Sequence, residues 1–325
     1  MGSKHRIRQA AYANAASSPL YYLGRSAWAV IRFFFLLGMT FVILYPLLYM
    51  LSMSLRASAD MYDMSVVWIP KHVTLDNFRV VFGQLGFGTA MLNTVEISLG
   101  CAAIQVFICA LTGYGFARFS FRGRGLLFLV VIFTIVVPPQ MTNMPNYLLF
   151  HDFDFFGLFR AITGHSSGIN MLDHRSTLYL LSLFGQGIRS GLFILIFRQY
   201  FRGVPMELEQ AAMVDGCGFS RTYFRIMLPN AKGPMLITFL FTLVWYWSDF
   251  YTLSTYLSNV RTLSVSLASL RVSLETVLSV EAWDPYKIIT MEQAACIASI
   301  LPLLLLFIVL QRQFTRSIET TGLVG

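Results

Sequence analysis

Residues 207–229 read ELEQAAMVDGCGFSRTYFRIMLP and lie between two long apolar runs. A loop between two membrane helices needs only to reverse the chain, but this one has a more specific pattern. The small residues Ala211 and Ala212 precede Asp215 and Gly216, and a second amphipathic run follows. Glycine adopts positive φ without steric cost, so an Asp-Gly pair favours a turn. The pattern predicts two short helices that meet at a turn and present a surface to another protein.

The composition around this loop indicates a membrane protein. Of the 325 residues, 56% are hydrophobic and 12% are charged, whereas soluble domains have about 25% charged residues. Six apolar runs are long enough, at roughly 20 residues each, to cross a hydrocarbon core of ~30 Å. Lipid cannot satisfy backbone polar groups, so these runs are expected to be helices. The predicted spans are residues 33–51, 91–116, 126–144, 178–197, 235–256 and 288–310.

The distribution of basic residues predicts the orientation. If both termini are cytoplasmic, most Lys and Arg residues fall on the cytoplasmic side, as the positive-inside rule requires. The net charge of +8 is therefore a topology signal, and no basic soluble face remains for nucleic acid. We expect an all-α polytopic membrane protein with six transmembrane helices and both termini cytoplasmic. Its predicted parts are an N-terminal arm (1–32), a transmembrane domain (33–311) that includes a cytoplasmic loop (198–233), and a C-terminal tail (312–325).

Motifs for catalysis and metal binding are weak or missing in the sequence. No G-x-x-x-x-G-K-[ST] loop occurs, so ATP chemistry must come from another chain. The four cysteines have neither metal-ligand nor disulfide spacing. Residues 164–168 satisfy G-x-S-x-G, but that motif has meaning only at a strand–turn–helix corner. All five His residues fall outside the predicted spans, which disfavours an intramembrane enzyme. We expect no catalytic residues, metal or cofactor in this chain.

Three stretches carry a resemblance to a known family. TLDNFRVVF at residues 74–82 precedes the second predicted span, and GYGFARFSFRGRG at residues 113–125 ends it. The third stretch is the loop at 207–229, where Gln210 and Cys217 replace the glutamate and alanine that are usual in the family. With these features the chain, from about residue 33 onward, resembles the MalG-type permeases of carbohydrate ABC importers.

This resemblance implies a type I ABC importer permease bundle in the bacterial inner membrane. The implied partners are a second homologous permease, two ATPase subunits that bind ATP and Mg²⁺, an extracytoplasmic solute-binding protein, an oligosaccharide and the lipid bilayer. The loop would dock on the ATPase, and the alternative is a solvated loop that only obeys the positive-inside rule. The implied docking residues are Glu207, Glu209, Gln210, Ala211, Ala212, Asp215 and Gly216.

Arg189 lies near the middle of the fourth predicted span. An arginine at the bilayer midplane costs roughly 2.5–3.5 kcal/mol on insertion scales, so its first interpretation is functional. It either lines the substrate pathway or forms a structural ion pair with Glu96, Asp249 or Glu292, which lie in other predicted spans. Both interpretations stay open at this stage.

The substrate pathway is expected to combine charged and aromatic side chains. Sugar rings stack on aromatic faces, although aromatic residues also serve in bundle packing and as interfacial anchors. The candidates are Arg189, Glu96, Trp245, Trp247, Asp249 and Tyr251. Arginine binds carboxylates bidentately, and the chain resembles permeases for acidic polysaccharide fragments, so we expect uronate-containing oligosaccharides of the alginate or pectin type. The alternatives are a neutral oligosaccharide or, more distantly, an ion-coupled secondary transporter.

Overall fold

The computed structural model describes residues 19–84, 86–155, 157–164, 168–277 and 284–322. Within these ranges the regular structure is helical, and the only strand-like pairings are two isolated antiparallel bridges. The predicted all-helical class is confirmed. The helices are α1 (Pro19–Ser54), α2 (Asp76–Gln84), α3 (Phe87–Arg118), α4 (Arg124–Val136), α5 (Pro139–His151), α6 (Leu158–Thr163), α7 (Arg175–Leu183), α8 (Ser190–Gly203), α9 (Glu207–Val214), α10 (Phe219–Asn230), α11 (Lys232–Ser248), α12 (Tyr251–Tyr256), α13 (Leu263–Ala268), α14 (Leu270–Val277) and α15 (Pro285–Gly322).

Some predicted features fall outside the described residues. These are residues 1–18 of the N-terminal arm, residues 165–167 of the G-x-S-x-G stretch and the last three residues of the tail. The described part of the arm is helical, because α1 begins at Pro19, well before the predicted start of the first span.

Three helices in the described part of the chain are long and apolar enough to cross a membrane. They are Arg25–Ser54 in α1, the whole of α3, and Pro285–Arg312 in α15. Two further pairs qualify only if each bent pair forms one span: α4 with α5, bent by 105°, and α10 with α11, bent by 74°. The structure therefore has three to five candidate spans. Six spans with cytoplasmic termini stay a prediction.

The third, fourth and fifth predicted spans are not single helices, which corrects the sequence-based expectation. The fifth is divided between α11, which ends at Ser248, and α12, which begins at Tyr251. Pro138 lies between α4 and α5, and Pro139 is the first residue of α5. Proline removes a backbone donor and pushes the preceding residue out of the helical region. Between α7 and α8 the chain is non-helical at residues 184–189, and Arg189 has a φ of 55°. Left-handed backbone at a non-glycine residue is uncommon, so the surrounding contacts must hold it in place.

Helix α3 is the centre of the bundle and packs mainly against α8 and α11. Gly113 allows the closest approach to α8, because a Cβ placed there would lie 2.5 Å from the Cβ of Phe197. One apolar cluster, which includes Phe193, Phe197 and Tyr223, joins the C-terminal half of α3 to α8 and α10. A second cluster joins the N-terminal half of α3 to α7 and α12. Helix α3 thus links both ends of the bundle.

Helix α1 lies at the periphery and packs mainly against α15. Its apolar side chains are largely exposed, as at Phe33, Phe34 and Phe35. An exposed apolar surface of this length is suited to lipid or to another membrane chain.

Candidate functional site

The polar loop, which we define as residues 204–230, forms the two helices that the sequence predicts. Helix α9 ends at Val214, and α10 begins at Phe219. Gly216 has a φ of 78°, and the amide of Cys217 donates to the carbonyl of Ala212 at 2.9 Å. A glycine in the left-handed region just after a helix is a common C-terminal cap. The turn at Asp215 and Gly216 therefore ends α9 and directs the chain into α10.

The inner side of α9 is held by a buried ion pair with the end of α3. The Nε of Arg118 lies 2.8 Å from Oε1 of Glu209, and each side chain is 7% exposed. The Nη2 of Arg118 also donates to the carbonyl of Val204 at 2.6 Å. Ala212 is buried on the same side, so its small side chain serves close packing within the chain. One arginine thus fixes the start of the polar loop and the first turn of α9.

Aromatic side chains fix α10 to the same end of the bundle. The ring of Tyr114 lies 4.9 Å from that of Tyr223 in α10 and 5.4 Å from that of Phe201 in α8. Tyr223, Phe201 and Met227 are almost fully buried. Close-packed interiors transmit displacement rather than absorb it. The polar loop is therefore a rigid extension of α3 and α8.

The outer side of the polar loop is exposed. It contains Glu207, Gln210, Ala211, Asp215 and Gly216 from the set that the sequence singled out, whereas Glu209 and Ala212 point inward. Four apolar side chains share this surface and are 41% to 87% exposed: Leu208, Met213, Val214 and Phe219. An apolar patch with a polar rim is typical of an interaction site.

Sequence reasoning missed two features of this loop. It did not identify Arg118 as the partner of Glu209, although Arg118 belongs to the GYGFAR stretch at residues 113–118. It also missed the exposed apolar residues Val214 and Phe219, which lie between the motif positions.

A second candidate site is the break between α7 and α8. The carbonyl of Ile188 accepts a hydrogen bond from Nε2 of Gln105 at 2.7 Å, and its amide donates to the hydroxyl of Tyr246 at 3.4 Å. The same hydroxyl lies 3.1 Å from Oγ of Ser182. Non-helical backbone at membrane depth is tolerated only where protein buries it or where it lines a cavity. Side chains from α3 and α11 thus provide hydrogen-bond partners for the non-helical backbone at Ile188.

Arg189 lies at the end of this break and is exposed. Its guanidinium carbon lies 5.2 Å from the ring centroid of Trp245, a cation–π contact. In the described part of the chain, Arg189 forms no ion pair with any of its three expected partners. Glu96 pairs with Arg175 at 2.6 Å, Asp249 accepts a hydrogen bond from the amide of Thr252 at 3.2 Å, and Glu292 is in no ion pair with a described residue. The structural ion pair, one of the two roles that the sequence allows for Arg189, is therefore not formed among the described residues.

The aromatic candidates for the substrate pathway differ in how exposed their side chains are. Trp247 is 7% exposed, and its Nε1 donates to the carbonyl of Ser299 at 3.1 Å, a contact that packs α11 on α15. Trp245 is half-buried and packs 5.4 Å from the ring of Phe193. Tyr251 is 46% exposed. The structure thus brings Arg189 and Trp245 together at the break in the fourth predicted span.

Neither site has the donor set of a metal centre. Among the described residues, no three His, Cys, Asp or Glu side chains lie close enough together to hold a metal ion.

Comparisons with known proteins agree with this architecture. The family described as "Binding-protein-dependent transport system inner membrane component" matches residues 105–320. The probable ABC transporter permease protein YurM of Bacillus subtilis is 27% identical over 308 residues, which cover 94% of this chain and 90% of YurM. The arabinooligosaccharides transport system permease protein AraQ of Halalkalibacterium halodurans is 26% identical over 289 residues, which cover 88% of this chain and 92% of AraQ.

A solved structure shows the same fold. It is described as a bacterial ABC transporter involved in the import of the acidic polysaccharide alginate. One of its chains matches with a TM-score of 0.72 and 22% sequence identity, over 91% of this chain and 100% of that chain. The family match spans more than half of the sequence and includes both candidate sites. The chain therefore belongs to the binding-protein-dependent transport system inner membrane component family and is a multi-pass protein of the bacterial inner membrane.

Proposed function

We propose that this chain is one of two membrane subunits of an ABC importer for oligosaccharides. The observation that carries the proposal is the polar loop, whose inner side is tied to α3 by the buried pair of Arg118 and Glu209. Its outer side presents an exposed apolar patch with polar residues around it. The names of similar proteins support oligosaccharide as the substrate class, since AraQ is named for arabinooligosaccharides.

In the proposed mechanism, ATP and Mg²⁺ bind to a pair of partner ATPase chains and close them. The exposed residues Glu207, Gln210, Ala211, Asp215 and Gly216 contact the ATPase, while Glu209 and Ala212 position them. Because the polar loop is rigidly packed on α3 and α8, movement of the ATPase pair is transmitted into the bundle. The bundle then opens to the outside, and hydrolysis resets it.

A solute-binding protein would deliver the sugar to the opposite end of the bundle. The two loops that we assign to this contact, residues 145–177 and 257–287, are joined by Asp173. Its carboxylate accepts hydrogen bonds from the amides of Ser258 and Asn259 and from Nδ2 of Asn259, the last two at 2.9 Å. The described parts of both loops are thus linked into one surface, which favours a single docking partner.

We further propose that the substrate is acidic. Arg189 is exposed, has no ion-pair partner among the described residues and lies beside Trp245 at a helix break. Discontinuous helices often mark substrate sites in transporters. A guanidinium would bind a uronate carboxylate, and the indole would stack on the sugar ring. The fold match to the alginate importer agrees with this choice, whereas the name of AraQ favours a neutral oligosaccharide.

The test is ATP hydrolysis by the reconstituted transporter with its binding protein, with uronic and neutral oligosaccharides compared. Hydrogen bonds to charged groups contribute about 1.5–3 kcal/mol. We therefore expect Arg189→Ala to raise the half-stimulating concentration of the uronic oligosaccharide about 10- to 100-fold.

The matched control is Arg79→Ala. Arg79 is an exposed arginine on α2, and its loss should leave stimulation unchanged. Stimulation by neutral oligosaccharides alone, or an Arg189→Ala transporter indistinguishable from Arg79→Ala, would contradict the acidic-substrate proposal. Either result would leave the importer assignment standing.

A further inference from the structure

The connection between α1 and α2 contains a short apolar segment, residues 66–69, which we call the apolar tip. It reads VVWI, and polar residues flank it on both sides. Three of its four side chains are 43% to 81% exposed: Val67, Trp68 and Ile69. An exposed apolar patch with a polar rim is typical of an interaction site.

The backbone of the apolar tip is bonded to the end of α1. Arg56 is 5% exposed, and its Nη1 and Nη2 donate to the carbonyls of Val66 and Val67 at 3.3 Å and 2.6 Å. The hydroxyl of Ser52 donates to the carbonyl of Trp68 at 2.5 Å. Backbone polar groups beside lipid need partners within the protein. Three of the four carbonyl groups of the tip have such partners, so the tip presents mainly apolar side chains to its surroundings.

The side chain of Trp68 reaches back along α1. Its ring centroid lies 5.0 Å from that of Tyr45 and 6.3 Å from that of Phe41. At 1.5 Å per residue, α1 continues for about 14 Å beyond Tyr45 and about 20 Å beyond Phe41 before it ends at Ser54. Both residues belong to the part of α1 that is long and apolar enough to cross a membrane. The indole is therefore level with a candidate span and not in the water beyond its end.

The aromatic row beside Trp68 indicates what covers it. Phe41, Tyr45 and Tyr49 recur every fourth residue on α1, with 5.8 Å and 6.3 Å between successive ring centroids. All three are 39% to 53% exposed. Contacts between membrane helices favour small residues, which let the backbones approach closely. Trp and Tyr are instead enriched where a membrane protein meets the lipid headgroups, so the chemistry of this row favours lipid over a helix of another chain.

We propose that the apolar tip is an interfacial lipid anchor. Its backbone lies at the headgroup level of the leaflet that contains the C-terminal end of α1, and the Trp68 indole inserts between phospholipid acyl chains beside Tyr45. The adjacent charges suit this position, because Nζ of Lys71 lies 2.5 Å from Oδ2 of Asp63 and the two neutralise each other.

The anchor would also fix the start of α2. Nδ2 of Asn77, in the first turn of α2, donates to the carbonyls of Ser54 and Arg56, both at 2.9 Å. Arg56 thus joins the apolar tip on one side to α2 on the other. A tip held in lipid would keep the end of α1 and the start of α2 at a constant depth in the membrane.

The experiment measures the tryptophan fluorescence of the assembled transporter in lipid nanodiscs. One set of discs contains phosphatidylcholine with brominated acyl chains, which quench rings that touch those chains, and the other set contains ordinary phosphatidylcholine. Iodide in the buffer quenches rings that reach water. The chain has five tryptophans, so the signal of Trp68 is taken as the difference between the wild type and Trp68→Phe, which keeps an aromatic ring beside α1.

We expect the Trp68 signal to lose most of its intensity in the brominated discs and to be insensitive to iodide, because the indole lies among acyl chains. The matched control is the difference between the wild type and Trp247→Phe. Trp247 is 7% exposed, and its signal should be insensitive to both quenchers.

Two outcomes would overturn the proposal. Quenching of Trp68 by iodide, with or without quenching by bromine, would place the tip in water, within reach of a solute-binding protein. Insensitivity to both quenchers, as for Trp247, would show that another membrane chain covers the tip. If Trp68→Phe does not assemble, Trp68→Tyr provides the same difference signal and keeps a ring with a polar group.

Discussion

Replacement of Arg118 by alanine is expected to lower the free energy of unfolding by about 3–5 kcal/mol, because it leaves the buried carboxylate of Glu209 without a partner. The same change removes the hydrogen bond to the carbonyl of Val204, so the polar loop loses both contacts to the end of α3. We also expect ATP hydrolysis in the assembled transporter to lose its response to substrate. The measurements are the unfolding midpoint in detergent and the stimulated rate of hydrolysis.

Two controls isolate the effect of burial. Arg79→Ala breaks a pair with Asp76 whose side chains are 82% and 71% exposed, and exposed pairs contribute about 0–1 kcal/mol. The double variant Arg118→Met, Glu209→Leu removes both charges, and apolar replacement of a buried pair is often neutral. It should recover most of the lost stability. A loss at Arg118→Ala no greater than that at Arg79→Ala would show that the pair does not hold the loop.

The second large effect is expected at Gly113→Ala. A Cβ at this position would lie 2.5 Å from the Cβ of Phe197 and 3.0 Å from the amide nitrogen of Arg198. Because one of these neighbours is backbone, α3 and α8 must move apart. Overpacking of this kind costs typically 1–3 kcal/mol and occasionally more. The displacement would also move Arg198 and the start of the polar loop, so we expect weaker coupling as well as a lower unfolding midpoint.

The matched control is Gly115→Ala, two residues further along α3. There the nearest atom to an added Cβ is Cδ2 of Phe119 at 3.9 Å, an ordinary contact. Alanine is favoured over glycine in helices by up to about 1 kcal/mol, so Gly115→Ala should be neutral or stabilising. Equal losses of stability in Gly113→Ala and Gly115→Ala would contradict the account. They would indicate an effect on α3 itself rather than on its contact with α8.

The sequence was sufficient for the family, the helical class and the two short helices of the polar loop. It was not sufficient for the direction of each side chain on α9. Glu209 and Gln210 are neighbours with similar side chains, yet one is buried and the other exposed. Neighbouring residues on a helix point in different directions, and the inward side of α9 is marked by the contact of Glu209 with Arg118, a residue far away in the sequence.

The broken helices show a similar limit. Pro138 and Pro139 already favour an interruption in the third run. The break at residues 184–189 depends on Gln105 and Tyr246, which lie on other helices and satisfy its backbone. Hydropathy cannot detect such distant partners, so the fourth run was predicted as one continuous helix. For the same reason Trp247 could not be separated from Trp245 by sequence alone.

The most direct test of the central claim is photo-crosslinking from the outer side of the polar loop in the assembled transporter. A photoreactive residue at Val214, which is 87% exposed, is compared with one at Ile69, which is 81% exposed and lies between α1 and α2. The account predicts that the probe at Val214 becomes covalently linked to the ATPase subunit, identified by peptide mass, and that the probe at Ile69 does not. A probe at Val214 that links to no ATPase peptide, or that links no more than the probe at Ile69, would contradict the proposal that this loop couples the permease to ATP hydrolysis.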